Sequence, residues 1–148
     1  MTVNGEKLAE KKSQLNELVN FDMVISSNYV RAISTAKYFT KDKLFIDDNF
    51  GERKFGINHW EELPMNFEKR QFGDFDYKLP NGESINEVVE REYNSLINIL
   101  NNYHDKKVLI VGHATALANG VKLIILMVIN LMVNNFLMVN GIIVKRLN

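Results

Sequence analysis

The 148-residue chain has no cysteine, only two prolines and eight glycines, and no excess of either charge: 18 lysines and arginines face 18 aspartates and glutamates. Without cysteine there is no disulfide framework, and no signal-peptide pattern opens the chain, so a cytoplasmic protein is expected. No Pro/Gly/Ser-rich linker and no internal repeat divides the sequence, and one domain is the working expectation. The balanced charge excludes a global field for nucleic acid or an anionic membrane, so any anion site has to be local. Carboxylates and cysteines are nowhere spaced to ligate a cation, and neither a metal nor any other cofactor is expected. What the chain does have is apolar material, 46% of its residues, enough to bury a core.

From the amino end, Asn4 to Val19 is lysine-rich but turns Leu8, Leu15, Leu18 and Val19 toward one side, which predicts an amphipathic helix after a turn at Asn4-Gly5. Phe21, Met23, Val24 and Ile25 form a short apolar run that breaks at Ser26-Ser27-Asn28. Val30, Ile33, Ala36 and Phe39 then recur at helical spacing, so the stretch reads strand, polar turn, helix. Lys43 to Asp47 reads as a short strand. Phe50 to Tyr77, rich in aromatic and charged residues without a clean period, reads as short helices and loops over one end of a sheet. Ser84-Ile85-Asn86-Glu87 is a capping box, and Ile85, Val88, Val89, Tyr93, Leu96 and Leu100 trace one face of a helix to about Tyr103. A polar turn at His104 to Lys107 leads into a fully apolar strand, Val108 to Val111, which stops at Gly112-His113. Strands alternating with helices imply a three-layer α/β/α domain around a mainly parallel sheet, with ligands at the carboxyl ends of the strands.

Two positions carry chemistry under that rule. Arg31 falls in the first turn of a helix that leaves a strand end, where a planar cationic fork suits an anion; a surface arginine opening an amphipathic helix gives the same pattern. His113 ends a second buried strand, where an imidazole serves as proton donor or as a charge partner for a phosphoryl group, or merely as a cap. The two strand ends are expected to be neighbours.

These residues resemble the histidine phosphatase superfamily, the phosphoglycerate mutase-like phosphatases. Ser26-Ser27, Arg31-Ala32 and Thr35-Ala36 match the strand and helix that carry the family's phosphate-binding arginine. Gly51-Glu52-Arg53-Lys54-Phe55-Gly56 with Trp60-Glu61 matches its proton-donor region, Gly82-Glu83-Ser84 with Arg91 its next signature, and VLIVGHATAL the strand bearing its second histidine. The resemblance implies phosphoryl transfer through a phosphohistidine on small phosphorylated metabolites, of phosphatase or mutase type. Arg31 would be a phosphate clamp, His113 the second phosphate-binding and catalytic histidine, and Glu52 the general acid. Glu52 also lies in a charged loop, with Arg53 and Lys54 readable as its surface neighbours.

Two departures shape the expectation. The family's Arg-His-Gly precedes the helix matched here by VNGEKLAEKK, and the sequence contains no such triplet; His59 and His104 fall in a loop and a turn, poorly placed to act as nucleophile. Turnover is therefore expected to be impaired, with an inactive phosphate-binding remnant and a membrane-associated non-enzymatic fragment as alternatives. From Asn119 the chain becomes a run of Leu, Ile, Val, Met and Asn. Leu123 to Ile143 has the length of a membrane span, but Asn130, Asn134, Asn135 and Asn140 interrupt it and weigh against one. A/T-rich codons can be chosen so that back-translation begun at the third codon base from Asn119 reads as a polar, aromatic frame without a stop. The expected organisation is a phosphatase-like domain at 1–118, incomplete at its amino end, and an aberrant hydrophobic tail at 119–148 produced by a frame change near Ala118. Substrate identity and oligomeric state are left open.

Overall fold

Helix α1 (Val3–Ser13) starts where the Thr2 hydroxyl accepts a hydrogen bond from the Gly5 amide at 3.2 Å. That cap draws Asn4 and Gly5 into the first helical turn instead of the turn expected from their sequence. A computed structural model of the chain describes residues 2–15, 20–103, 106–113 and 116, and the backbone of 136–139 and 142–145. Leu18, Val19 and His104 thus lie outside the described residues. Of α1, only Ala9 is buried.

Strand β1 (Met23–Ser26) runs parallel to β2 (Leu44–Ile46) on one side and to β3 (Val108–Val111) on the other, with Ile25 opposite Ile110 and Ser26 opposite Val111. Helix α2 (Val30–Ala36) connects β1 to β2, α3 (Phe67–Gly73) follows two short 3₁₀ turns, and α4 (Ile85–Asn102) precedes β3. Beyond β3, strands β4 (Phe136–Val139) and β5 (Ile142–Lys145) form an antiparallel hairpin, and β5 pairs antiparallel with β3. The sheet order is β2-β1-β3-β5-β4. Within the tail expected to be aberrant, 136–139 and 142–145 are strands of this sheet. The span weighed at Leu123 to Ile143 is mostly outside the described residues, and its described parts are strand.

Strand side chains alternate between faces, so β1 and β3 divide the core in two. Ile25, Val108 and Ile110 pack with Phe50, Leu96 and Ile99 on the α4 side. Val24, Leu109 and Val111 pack with Ala32 and Ala36 on the α2 side. Burial on both faces is why these strands read as unbroken apolar runs. In α2 the buried stripe is Ala32 and Ala36, whereas Val30, expected on the inner face, is 74% exposed. The small alanines let the helix lie close on the sheet. Helix α4 has the predicted capping box: Ser84 Oγ accepts from the Glu87 amide at 3.1 Å, and Glu87 Oε2 accepts from the Ser84 amide at 2.8 Å.

Candidate active site

The parallel register of β1 and β3 brings Ser27 and His113 to one end of the sheet, and the Ser27 amide donates to the Val111 carbonyl at 3.0 Å. His113 is almost wholly buried. Its Nε2 lies 2.8 Å from Ser27 Oγ and its Nδ1 2.9 Å from Arg31 Nη2. The same Arg31 nitrogen donates to Glu52 Oε2 at 3.1 Å, and Glu52 Oε2 is 3.5 Å from His113 Nδ1. The Tyr29 ring stands edge-on to the imidazole at 4.7 Å, with the Arg31 guanidinium 4.8 Å from its centre. Arg31, Glu52 and His113, widely separated in sequence, thus meet at the carboxyl ends of β1 and β3.

Exposure is graded across the three. The His113 side chain is 3% exposed, that of Glu52 27% and that of Arg31 52%. Arg31, the most open of the three, is ion-paired with Glu52. Burial pulls the His113 pKa below its ordinary value; Glu52 opposes that shift, and the charges of Arg31 and Arg91 add to it.

Glu52 is held by a tether on α4. Arg91 Nε donates to Glu83 Oε1 at 2.9 Å and Nη2 to the Gly51 carbonyl at 3.0 Å, while Nη1 donates to the Asn49 carbonyl. Glu83 also accepts from the Lys54 amide at 2.9 Å, and the Glu83 amide donates to the Lys54 carbonyl at 2.7 Å. Burial pushes the Glu83 carboxyl up, but hydrogen bonds and charge from Arg91 and Lys54 outweigh it and leave its pKa below the ordinary value. The loop 49–54 is thereby strapped to the start of α4. Gly56 has a φ of 75°, and a Cβ there would come within 2.2 Å of the Pro80 carbonyl oxygen, so only glycine fits where the two loops cross.

Three features were not foreseen from the sequence. Arg53 is not a surface neighbour of Glu52: it is 3% exposed, its Nε donates to the Glu83 carbonyl and its Nη1 to Gln71 Oε1. Ser27 is the buried hydrogen-bond partner of His113. Glu92 is 1% exposed with neither carboxylate oxygen paired among the described residues. A helical wheel could have shown it, since Glu92 lies on the stripe of Val88, Leu96 and Ile99.

The profile of the histidine phosphatase superfamily (branch 1) matches residues 1–136. The chain belongs to the histidine phosphatase superfamily. Among relatives of this superfamily, an uncharacterized phosphatase PhoE of Bacillus subtilis (strain 168) is 28% identical over 120 residues, which is 79% of this chain and 60% of that protein. The chain thus spans less than two thirds of that relative's length. Solved structures share the phosphoglycerate mutase-like fold. A mutant phosphoserine phosphatase from Entamoeba histolytica in complex with phosphoserine is 22% identical with a TM-score of 0.74, over 98% of this chain and 81% of that one. A mycobacterial glucosyl-3-phosphoglycerate phosphatase is 16% identical with a TM-score of 0.71, over 84% and 67%. A putative alpha-ribazole-5'-P phosphatase from Escherichia coli K-12 is 25% identical with a TM-score of 0.65, over 84% and 66%.

Proposed function

We propose that this chain binds the phosphoryl group of a small phosphorylated metabolite between Arg31 and His113, with Glu52 placed to protonate the leaving oxygen. The observation that carries the reading is the shared Arg31 nitrogen, 3.1 Å from a carboxylate and 2.9 Å from a buried imidazole at one sheet end. A guanidinium supplies charge-assisted donors to phosphate oxygens, His113 becomes a further donor once its Nδ1 takes up a proton beside the anion, and Glu52 supplies a proton as the ester bond breaks. Hydrolysis in the family's manner needs one more group. A histidine nitrogen attacks phosphorus, the P–O ester bond breaks with the proton from Glu52 going to the departing alkoxide, and water then cleaves the P–N bond to release phosphate. The sequence contains no Arg-His-Gly to supply that nucleophile. Phosphate recognition without efficient turnover is therefore the reading, in a protein that works in the cytoplasm and needs no metal or other cofactor.

Hydrolysis of p-nitrophenyl phosphate by the purified chain is the test. The expected result is no steady turnover above a His113→Ala control, in the presence or absence of magnesium. Sustained hydrolysis that disappears in both His113→Ala and Arg31→Ala would overturn the claim of impaired turnover.

A further inference from the structure

Tyr29 stands where a helix ordinarily takes a short polar cap. It is the N-cap of α2, and its carbonyl accepts from the Ala32 and Ile33 amides at 2.9 and 3.0 Å, yet its side chain makes no capping hydrogen bond. Serine, threonine, aspartate or asparagine would serve that helix end better. The ring reaches each part of the candidate site instead. The Arg31 guanidinium lies over it at 4.8 Å, and the His113 imidazole meets it in an edge arrangement at 4.7 Å. A Cβ added at Gly51, the residue before Glu52, would lie 3.6 Å from Tyr29 Cε2. The Tyr29 amide donates to Ser27 Oγ at 3.4 Å, the same hydroxyl that meets His113 Nε2.

Arg31 needs a support of this kind. Its side chain is half exposed, and a long arginine loses rotamer freedom when an anion fixes it. Its contacts with Glu52 Oε2 and His113 Nδ1 both use Nη2, a nitrogen that a phosphate oxygen would claim as well. An aromatic face attracts a cation through its quadrupole and through dispersion, and it offers no oxygen for an anion to displace. The hold of the ring on Arg31 therefore outlasts the hold of Glu52.

We propose that Tyr29 is a positioning residue, whose ring keeps the Arg31 guanidinium aimed at the sheet end while a phosphoryl oxygen takes the place of Glu52 on it. This role rests on the reading that Arg31 and His113 hold the phosphate, and adds what holds Arg31. The ring does the work and the hydroxyl does not, so phenylalanine should replace tyrosine and leucine should not. A guanidinium over an aromatic ring at a half-exposed site is worth a change in affinity of roughly three- to fivefold.

Calorimetric titration of the full chain with inorganic phosphate tests the role, alongside Tyr29→Phe and Tyr29→Leu. Tyr29→Phe should bind within about twofold of the unaltered chain and Tyr29→Leu roughly three- to fivefold more weakly. That loss should disappear in an Arg31→Ala background, where binding is followed at high phosphate by the nitrogen-15 shifts of His113; a residue needed only for packing would cost affinity in both backgrounds. A second measurement needs no substitution. The side-chain proton resonances of Arg31 should carry an upfield ring-current shift and keep it at saturating phosphate, which decides the matter even if Tyr29→Leu fails to fold. Leucine as good as tyrosine, phenylalanine as poor as leucine, a loss that persists without Arg31, or a ring-current shift that vanishes on saturation would each overturn the role of Tyr29 and leave the phosphate site standing. Absence of phosphate binding to the unaltered chain would overturn both.

Discussion

Arg31 and His113 stand 82 positions apart in the chain, yet Arg31 Nη2 approaches His113 Nδ1 to 2.9 Å. A guanidinium only donates, so Nδ1 must offer its lone pair and the ring proton resides on Nε2, which donates to Ser27 Oγ at 2.8 Å. One contact therefore fixes both the tautomer of the imidazole and its neutrality. Burial favours the same neutral form, since it disfavours a charged ring beside an arginine.

The tautomer is directly measurable. In nitrogen-15 spectra of the imidazole rings, His113 should show a protonated Nε2 and an unprotonated Nδ1 at neutral pH, with a pKa below the ordinary 6.5. The Arg31→Ala variant removes the donor to Nδ1 and should weaken this preference. A proton found on Nδ1 in the unaltered chain, or titration above 6.5, would contradict the arrangement.

Arg91 links Glu83 to the carbonyls of Asn49 and Gly51, and so fixes the loop that carries Glu52. Arg91→Leu leaves Glu83, which is only about one-fifth exposed, without its charge partner. A loss of about 2 to 4 kcal/mol in unfolding free energy is expected from denaturant titration, as for breaking a partly buried, multiply bonded pair. A loss under about 0.5 kcal/mol would show the strap to be a surface pair of little consequence.

Glu92 sets a pH dependence of the opposite sign to that of His113. Burial raises its carboxyl from 4.5 to about 8; Arg91 opposes the rise, while Glu83 and Glu52 add to it. Below pH 4.5 the group is protonated in both folded and unfolded chains and has no net effect. As pH rises from 4.5 toward 8 the unfolded chain releases the proton and the folded chain keeps it, so this group erodes stability across that window. Glu92→Gln keeps the shape without the ionisation. It should raise unfolding free energy at pH 7 by on the order of 3 kcal/mol and have little effect at pH 4. Equal effects at the two pH values would show that Glu92 is not held neutral.

Much of the fold could be read from residue patterns because its elements are locally consistent. Ser84 and Glu87 announce the start of α4, and the unbroken Val108 to Val111 run announces a strand buried on both faces. Bringing Arg31 and His113 together needed only the rule that parallel strands gather their carboxyl ends. Arg53 could not be placed so simply. Charged residues are ordinarily solvated, and its burial depends on Gln71 and Phe67, which have no local signature, whereas Glu92 lies on the apolar stripe of α4. The start of α1 was misplaced because Asn4-Gly5 has turn propensity, which the Thr2 cap overrides.

A frame change near Ala118 is a separate proposal, motivated by the abrupt loss of turn and period logic from Asn119 onward. The nucleotide sequence across codon 118 should show that a single inserted or deleted base opens the polar, aromatic frame. If no such frame exists, the β4–β5 hairpin on β3 is encoded as it stands and the proposal fails.

The most direct measurement is calorimetric titration of the purified chain with inorganic phosphate and vanadate, alongside Arg31→Ala and His113→Ala. Saturable binding is expected, with a dissociation constant on the order of 1 mM, weakened about tenfold or more in each variant and unchanged by a chelator. Binding of equal strength in all three proteins would contradict the claim that Arg31 and His113 form the phosphate site.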